Sequence, residues 1–184
     1  QKAGISDPPT SLDELTSDMA KVKSAGSLPL SYGDVEKSPG IHLYGLALSA
    51  LAGTKVNDLV KGASGSWTGT DEVKAASVVQ GWQKSGYITP GANGVSRDAA
   101  VDAFGKGGAA FLITGTWYLA TLSEAPSKSD IGFTALKPAG SDTPVTMGGE
   151  GLAWAMTSKT KHADAAAAYI DFITGKSASE LLVK

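Results

Sequence analysis

The chain contains no cysteine, which removes disulfides, thiolate metal ligands and cysteine nucleophiles. Only two histidines occur, His42 and His162, far apart and without a second ligand at metal-binding spacing. An excess of one charge is also missing. Sixteen Lys and Arg stand against eighteen Asp and Glu, for a net charge of −2. No basic stripe exists to neutralise phosphates, so nucleic acid is not an expected partner. No apolar run approaches the roughly 18 residues of a membrane-spanning helix. What is present is a 184-residue chain with 42% hydrophobic and 18% charged residues. That is enough to bury a core, and it suits one domain or slightly more.

Helix signals are frequent. Pro8-Pro9-Thr10 stops what precedes it, and Ser11-Leu12-Asp13-Glu14 reads as a capping box. Leu12, Leu15, Met19 and Val22 then follow at helical spacing up to Gly26. Ile41 to Ala52 is apolar nearly all round and predicts a buried helix. Thr70 is expected to cap a helix carrying Val73, Ala76, Val79 and Trp82, and Ser96 to cap one through Phe104. Ala163 to Ile173 predicts a helix closed by Gly175, with another beginning at Ser177.

Between the helices lie short strand candidates: Leu28–Tyr32, Ala109–Ile113, Ile131–Leu136 and Leu152–Met156. Pro29 fits the first residues of a strand or an edge. The alternation predicts an α/β fold with substantial parallel pairing. The chain opens on Gln1 instead of Met, and its last helix reaches Lys184 without a stop signal. It is therefore expected to be part of a longer chain.

Several motifs suggest chemistry that their context does not support. Gly105-x-Gly107-x-x-Ala110 has dinucleotide-loop spacing, but it lies between a helix and a strand, the reverse of the order that brings pyrophosphate to a helix N-terminus. Thr174-Gly175-Lys176-Ser177 lacks the first glycine of a phosphate loop, because Ile170 occupies that place. His162, at a helix start, reads as solvated. Asp34 and Glu36 are loop carboxylates of the kind that is usually solvated, and no Gly-x-Ser-x-Gly elbow occurs. No catalytic residue and no cofactor is predicted.

The positive signal is for binding. Trp117 follows a strand end and Gly115, at the first turn of a helix, where α/β sheets place ligands beyond their strands' carboxyl ends. An indole there offers a flat apolar face edged by a donor, which suits the C–H face of a pyranose. Core packing is the competing reading of any single tryptophan.

Four ordered segments carry a resemblance. Lys2-Ala3-Gly4-Ile5 with Pro8 to Leu15 is similar to "K-x-G-(I/V)…P-P-x-T-W-(D/E)-E-(L/F)", with Ser11-Leu12 where Thr-Trp is usual. Trp67-Thr68 through Gly86-Tyr87-Ile88 resembles a helix ending in "G-Y-(I/V)-x-P". Ala103-Phe104-x-x-Gly107-x-Ala109-Ala110-Phe111 with Gly115-x-Trp117 resembles "A-F-x-x-G-x-A-A-M-x-x-x-G-x-W". Gly148-Gly149-Glu150-Gly151-Leu152-Ala153, followed by Ala165 to Ile173, resembles a "G-G-x-G-(L/I)-A" hinge strand and its helix. With these segments the chain resembles extracellular solute-binding protein family 1, the carbohydrate-binding receptors of ABC importers.

The resemblance implies a periplasmic-binding-protein-like lobe, with a mostly parallel sheet flanked by helices. Residues 1–144 would form a C-terminal-type lobe, and 145–184 a hinge strand and helices that return to the other lobe. It implies a sugar held by closure of two lobes and delivered to a membrane permease. The receptor would sit lipid-anchored on the outer face of the cell membrane or in the periplasm, and would not be an enzyme. The implied ligand contacts are Trp117 for stacking, Tyr32 or Asp34 in the strand-end loop, Gly148, Gly149 and Glu150 at the lobe boundary, and His42 at lower rank. Two alternatives remain at this point. One is the same architecture binding a polyamine or a metal chelate; the other is a carbohydrate-active enzyme using Asp34 and Glu150 as paired carboxylates.

The helix from Ala163 to Ile173 has an apolar face that would normally pack on the other lobe. The 184-residue chain by itself is therefore expected to self-associate. Light scattering should show a mass that rises with concentration, and a monomer at high concentration would contradict this.

Overall fold

The first helix, α1 (Leu12–Ser24), begins at a cap that satisfies the N–H groups a helix leaves unpaired. In the computed structural model, which describes residues 3–146 and 153–182, Ser11 Oγ accepts the Glu14 N–H at 3.2 Å. The Glu14 carboxylate does not close back on Ser11. It accepts the N–H and hydroxyl of Thr10 at 2.7 and 2.9 Å, so the reciprocal half of the box is shifted one residue outward.

The remaining elements follow in chain order. They are β1 (Leu30–Ser31), α2 (Pro39–Ala52), α3 (Lys55–Val60), α4 (Thr70–Lys84), α5 (Arg97–Gly105), β2 (Phe111–Leu112), α6 (Leu119–Ser123), α7 (Ala163–Thr174) and α8 (Lys176–Leu182). Contacts group them into two units, Gln1–Met147 and Gly148–Lys184.

In the first unit the core is helix on helix beside a small parallel sheet. Trp82 of α4 is its largest fully buried side chain, 1% exposed. Its indole N–H donates to Thr16 Oγ1 on α1 at 3.0 Å, and the Thr16 hydroxyl donates on to the Leu12 carbonyl at 2.9 Å. The polar edge of a buried indole is thereby satisfied while its rings belong to the buried cluster that includes Met19, Leu48 and Ala75. α2 packs along α4, and the Tyr44 hydroxyl donates to the Glu72 carbonyl at 3.2 Å.

The sheet places the loops that matter. β1 pairs in parallel with β2, Leu30 opposite Phe111 and Ser31 opposite Leu112. On its other side Leu30 forms a parallel bridge with Ile88. Pro29 lies just before β1, where its missing N–H is not needed and its carbonyl accepts from Phe111 N–H at 2.8 Å. Ser31, 2% exposed, donates its hydroxyl to the Ala100 carbonyl of α5 at 2.7 Å and locks that helix to the strand.

Several expectations are corrected. Ile131–Leu136 is not a strand. Its bonds go to loop residues, Thr134 Oγ1 to the Pro9 carbonyl and Val145 N–H to the Leu136 carbonyl, so no ladder forms, and Phe133 is 77% exposed. The described part of the Leu152–Met156 candidate, residues 153–156, has no ladder either. α4 is capped by the backbone of Gly69, with Thr70 its first residue and no side-chain cap bond. Its buried stripe runs through Ala75, Val78, Val79 and Trp82, and Val73 and Ala76 fall outside that spacing and are exposed. α2 is buried or half-buried along its length, as expected, with one exception. Ile41 is 57% exposed in the first turn, although Leu48, two turns on along the same side, is fully buried. α3 was not anticipated.

In the second unit, α7 ends at Gly175 as expected, and His162 precedes it as an exposed residue. No residue of α7 is buried among those described.

Truncating Trp82 to Ala should destabilise the protein by about 3–5 kcal/mol in urea denaturation. Trp82→Phe, which keeps most of the volume and loses the bond to Thr16, should cost about 1–2 kcal/mol.

Candidate functional site

β1 and β2 run side by side in the same direction, so the residues that leave their carboxyl ends emerge together. Tyr32 follows β1, and Thr114, Gly115 and Trp117 follow β2. The loop after β1 is held at its start by the Tyr32 N–H, which donates to Thr89 Oγ1 at 2.8 Å, and then by backbone bonds. Asp34 N–H donates to the Ala92 carbonyl at 2.9 Å and Val35 N–H to the Val95 carbonyl at 3.1 Å. Gly33 permits this approach, because a Cβ there would overlap the carbonyls of Val95 and Ser96.

The two acidic residues of that loop are not merely solvated. Asp34 Oδ1 accepts the Gly40 N–H in the first turn of α2 at 3.0 Å, although Ser38 is the nominal cap and makes no side-chain bond. Both Glu36 oxygens accept the Arg97 N–H that opens α5, at 3.0 and 3.2 Å. Each carboxylate thus meets the positive end of a helix and ties it to the loop. Tyr32 is partly buried, and its hydroxyl and the Asp34 carboxylate converge over Gly40. Burial, then the Asp34 charge, hold the Tyr32 phenol well above its ordinary pKa.

Trp117 lies in a single 3₁₀ turn, Thr116–Tyr118, and is 59% exposed. Its indole folds back over Gly115, whose missing side chain leaves the ring its seat: any Cβ at that position would coincide with it. His42, in the first turn of α2, stands against the same ring with centroids 5.1 Å apart and planes inclined at 48°. The indole is therefore braced from below and from one side while its outer surface stays in solvent.

His42, Tyr32, Thr114 and Arg97 line a shallow hollow beside this ring. It encloses only about 10 Å³, room for about one water-sized group. Arg97, which sequence reading missed, donates from Nε to the Tyr118 hydroxyl at 2.8 Å and lies 5.9 Å from that ring's centre. Burial, then the Arg97 charge, lower the pKa of His42, so the imidazole is neutral near pH 7. A larger hollow of about 450 Å³ adjoins at Val101, between α5 and α6. Two of its carboxylates are engaged, Asp102 by Lys106 and Asp98 by Tyr118, while Glu124 also lines it; the indole lines neither hollow, but His42 of the smaller one stands against it. Volume alone does not make it the better candidate.

Of the residues expected at the site, Trp117, His42, Tyr32 and Asp34 are brought together around one strand-end surface. Gly148, Gly149 and Glu150 lie outside the described residues. Among the described residues, no group of three or more His, Asp or Glu is arranged to hold a metal.

Comparisons with known proteins bear on the family and the fold. A family model for bacterial extracellular solute-binding proteins matches residues 1–184. A binding protein of Brucella abortus (strain 2308) is 26% identical over 140 residues, as is one of Brucella suis biovar 1 (strain 1330). Each match covers 76% of this chain and 33% of the relative, so the chain spans about a third of the length of these relatives. Among solved structures, a chitin oligosaccharide binding protein superposes with a TM-score of 0.69 at 22% identity, over 75% of this chain and 36% of that one. A protein described in work on xylan utilization by Caldanaerobius polysaccharolyticus gives 0.69 at 22%, over 91% and 44%. A sugar transporter from Bacillus licheniformis, in complex with stachyose, gives 0.65 at 17%, over 92% and 46%. At these identities the likeness is one of fold.

An NMR titration of the His42 imidazole should give a midpoint below 6.5, and Arg97→Gln should raise it without restoring 6.5, since burial remains. Folded His42 binds its proton less readily than an unfolded imidazole. Its contribution to stability is therefore complete above pH 6.5 and is lost as pH falls through 6.5 toward the folded value.

Proposed function

This chain belongs to the bacterial extracellular solute-binding proteins, and we propose from that premise that it carries the ligand-binding surface of a sugar receptor serving an ABC import permease. The observation that carries the reading is the exposed indole of Trp117, seated on Gly115 and braced by His42 beside donors at the ends of two parallel strands. A buried tryptophan would be packing; one held rigid with an open face is a platform. The C–H face of a pyranose stacks on such a face, while hydroxyls meet the polar groups at its border. The names of the structural neighbours, which speak of chitin oligosaccharide, xylan utilization and stachyose, support a saccharide.

In this reading residues 1–144 form one lobe of a two-lobe receptor, and 145–184 form a hinge strand and helices returning to the other lobe. Closure of the second lobe over Trp117 supplies the remaining contacts and the surface the permease recognises. Gly148, Gly149 and Glu150 fall at that boundary. The receptor is lipid-anchored outside the cell membrane or free in a periplasm, and it releases its ligand unchanged. A catalytic pairing of Asp34 with Glu150 gains nothing from the geometry, because Asp34 is occupied in capping α2.

In the intact protein, a saccharide found by thermal shift should bind the Trp117→Ala variant more weakly by roughly 1–3 kcal/mol, by analogy with bases stacked on aromatic side chains. Calorimetry showing undiminished affinity would place the ligand elsewhere.

A further inference from the structure

Beside the stacking platform lies a cation whose donors are largely unspent. The Arg97 guanidinium is held by one hydrogen bond, from Nε to Tyr118 Oη, and the Tyr118 hydroxyl is in turn bonded to Asp98. Asp98 Oδ1 itself is 3.9 Å from Arg97 Nε, too far for a hydrogen bond. Among the described residues no hydrogen bond uses the terminal Nη groups, and the side chain stays 39% exposed at the wall of the hollow.

The carboxylates on neighbouring elements are committed elsewhere. Asp34 caps α2, Glu36 takes the Arg97 backbone N–H, and Asp98 takes the Tyr118 phenol. The guanidinium is therefore oriented, with one long ion pair to Asp98 on its Nε side and its terminal Nη groups making no hydrogen bond among the described residues. Its outer edge is a planar fork that matches two neighbouring oxygens in parallel.

We infer that Arg97 is the specificity-determining anchor of the site, its fork donating to a pair of adjacent oxygens on the edge of the sugar ring stacked at Trp117. This rests on the sugar-receptor reading. The hollow that Arg97 lines is a foothold and no more: at about 10 Å³ it takes about one water-sized group, such as a single hydroxyl, and the body of the ring stays outside it. His42, which touches the indole and lines the same hollow, connects the two contacts in space. Two kinds of sugar present such a pair: a neutral pyranose through vicinal hydroxyls, and a uronate through its carboxylate.

The test is calorimetry on the intact protein with neutral xylo- and chito-oligosaccharides and with oligogalacturonates. Arg97→Met should weaken binding of whichever class binds by about 10- to 100-fold, the worth of a charge-assisted hydrogen bond or two. Arg97→Lys keeps the charge and the stem but not the fork, and should recover little of that loss. Wild-type affinity that falls steeply with salt identifies the carboxylate, and salt-insensitive affinity the hydroxyl pair. Wild-type-like binding by folded Arg97→Lys and Arg97→Met, with Trp117→Ala still impaired, would overturn the anchor and leave the sugar reading standing. A wild-type protein that binds none of these saccharides would remove both.

Discussion

The surface described above depends on how closely the loop after β1 lies against the segment before α5. At Gly33 the two backbones approach to a distance that no side chain survives, and the bonds from Asp34 to Ala92 and from Val35 to Val95 close the contact. Once it is closed, the two following carboxylates have fixed tasks, one at the first turn of α2 and one at the first turn of α5. Two helix N-termini are thus brought to one loop. Each buried or half-buried N–H at those ends would otherwise be a cost, and each is met by a charged acceptor. His42 and Arg97 lie in those same two opening turns, which is why they share a hollow despite being far apart in the chain.

A second constraint works beneath it. The sheet is small, two laddered residues per strand and one bridge, and it does not hold the unit together by hydrogen bonding. The helical core does so, with Trp82 tying α4 to α1 and α2 lying along α4. The strands contribute direction more than stability. Being parallel, they send Tyr32 and Trp117 out at the same end, and the site stands on loops over a packed base. That division suits a receptor, where recognition loops vary over a fixed support.

Much of this was legible from the residues because its causes are local. Ser11 and Ser96 do cap α1 and α5, each accepting the N–H three residues on. Gly115-x-Trp117 marked a strand-to-helix turn with an aromatic at its first turn. The family resemblance drew the remaining pieces into one architecture. What escaped had non-local causes. Asp34 caps α2 from six residues away, across a loop whose path depends on residues 92–96, so no short motif records it. Arg97 reads as an ordinary first helical residue until Tyr118 is folded against it. Strand lengths were overestimated because an apolar run states only a preference for extension, while a ladder requires a neighbour in register. Ile131–Leu136 has the preference and lacks the neighbour.

The seat of the indole on Gly115 makes two positions behave as one inherited character. A larger residue at 115 evicts the ring, and a smaller ring at 117 leaves a gap over bare backbone that only another change could fill. Neither residue can drift while the other stays. Descendants of this chain would therefore be expected to pass the glycine and the tryptophan on together or lose both.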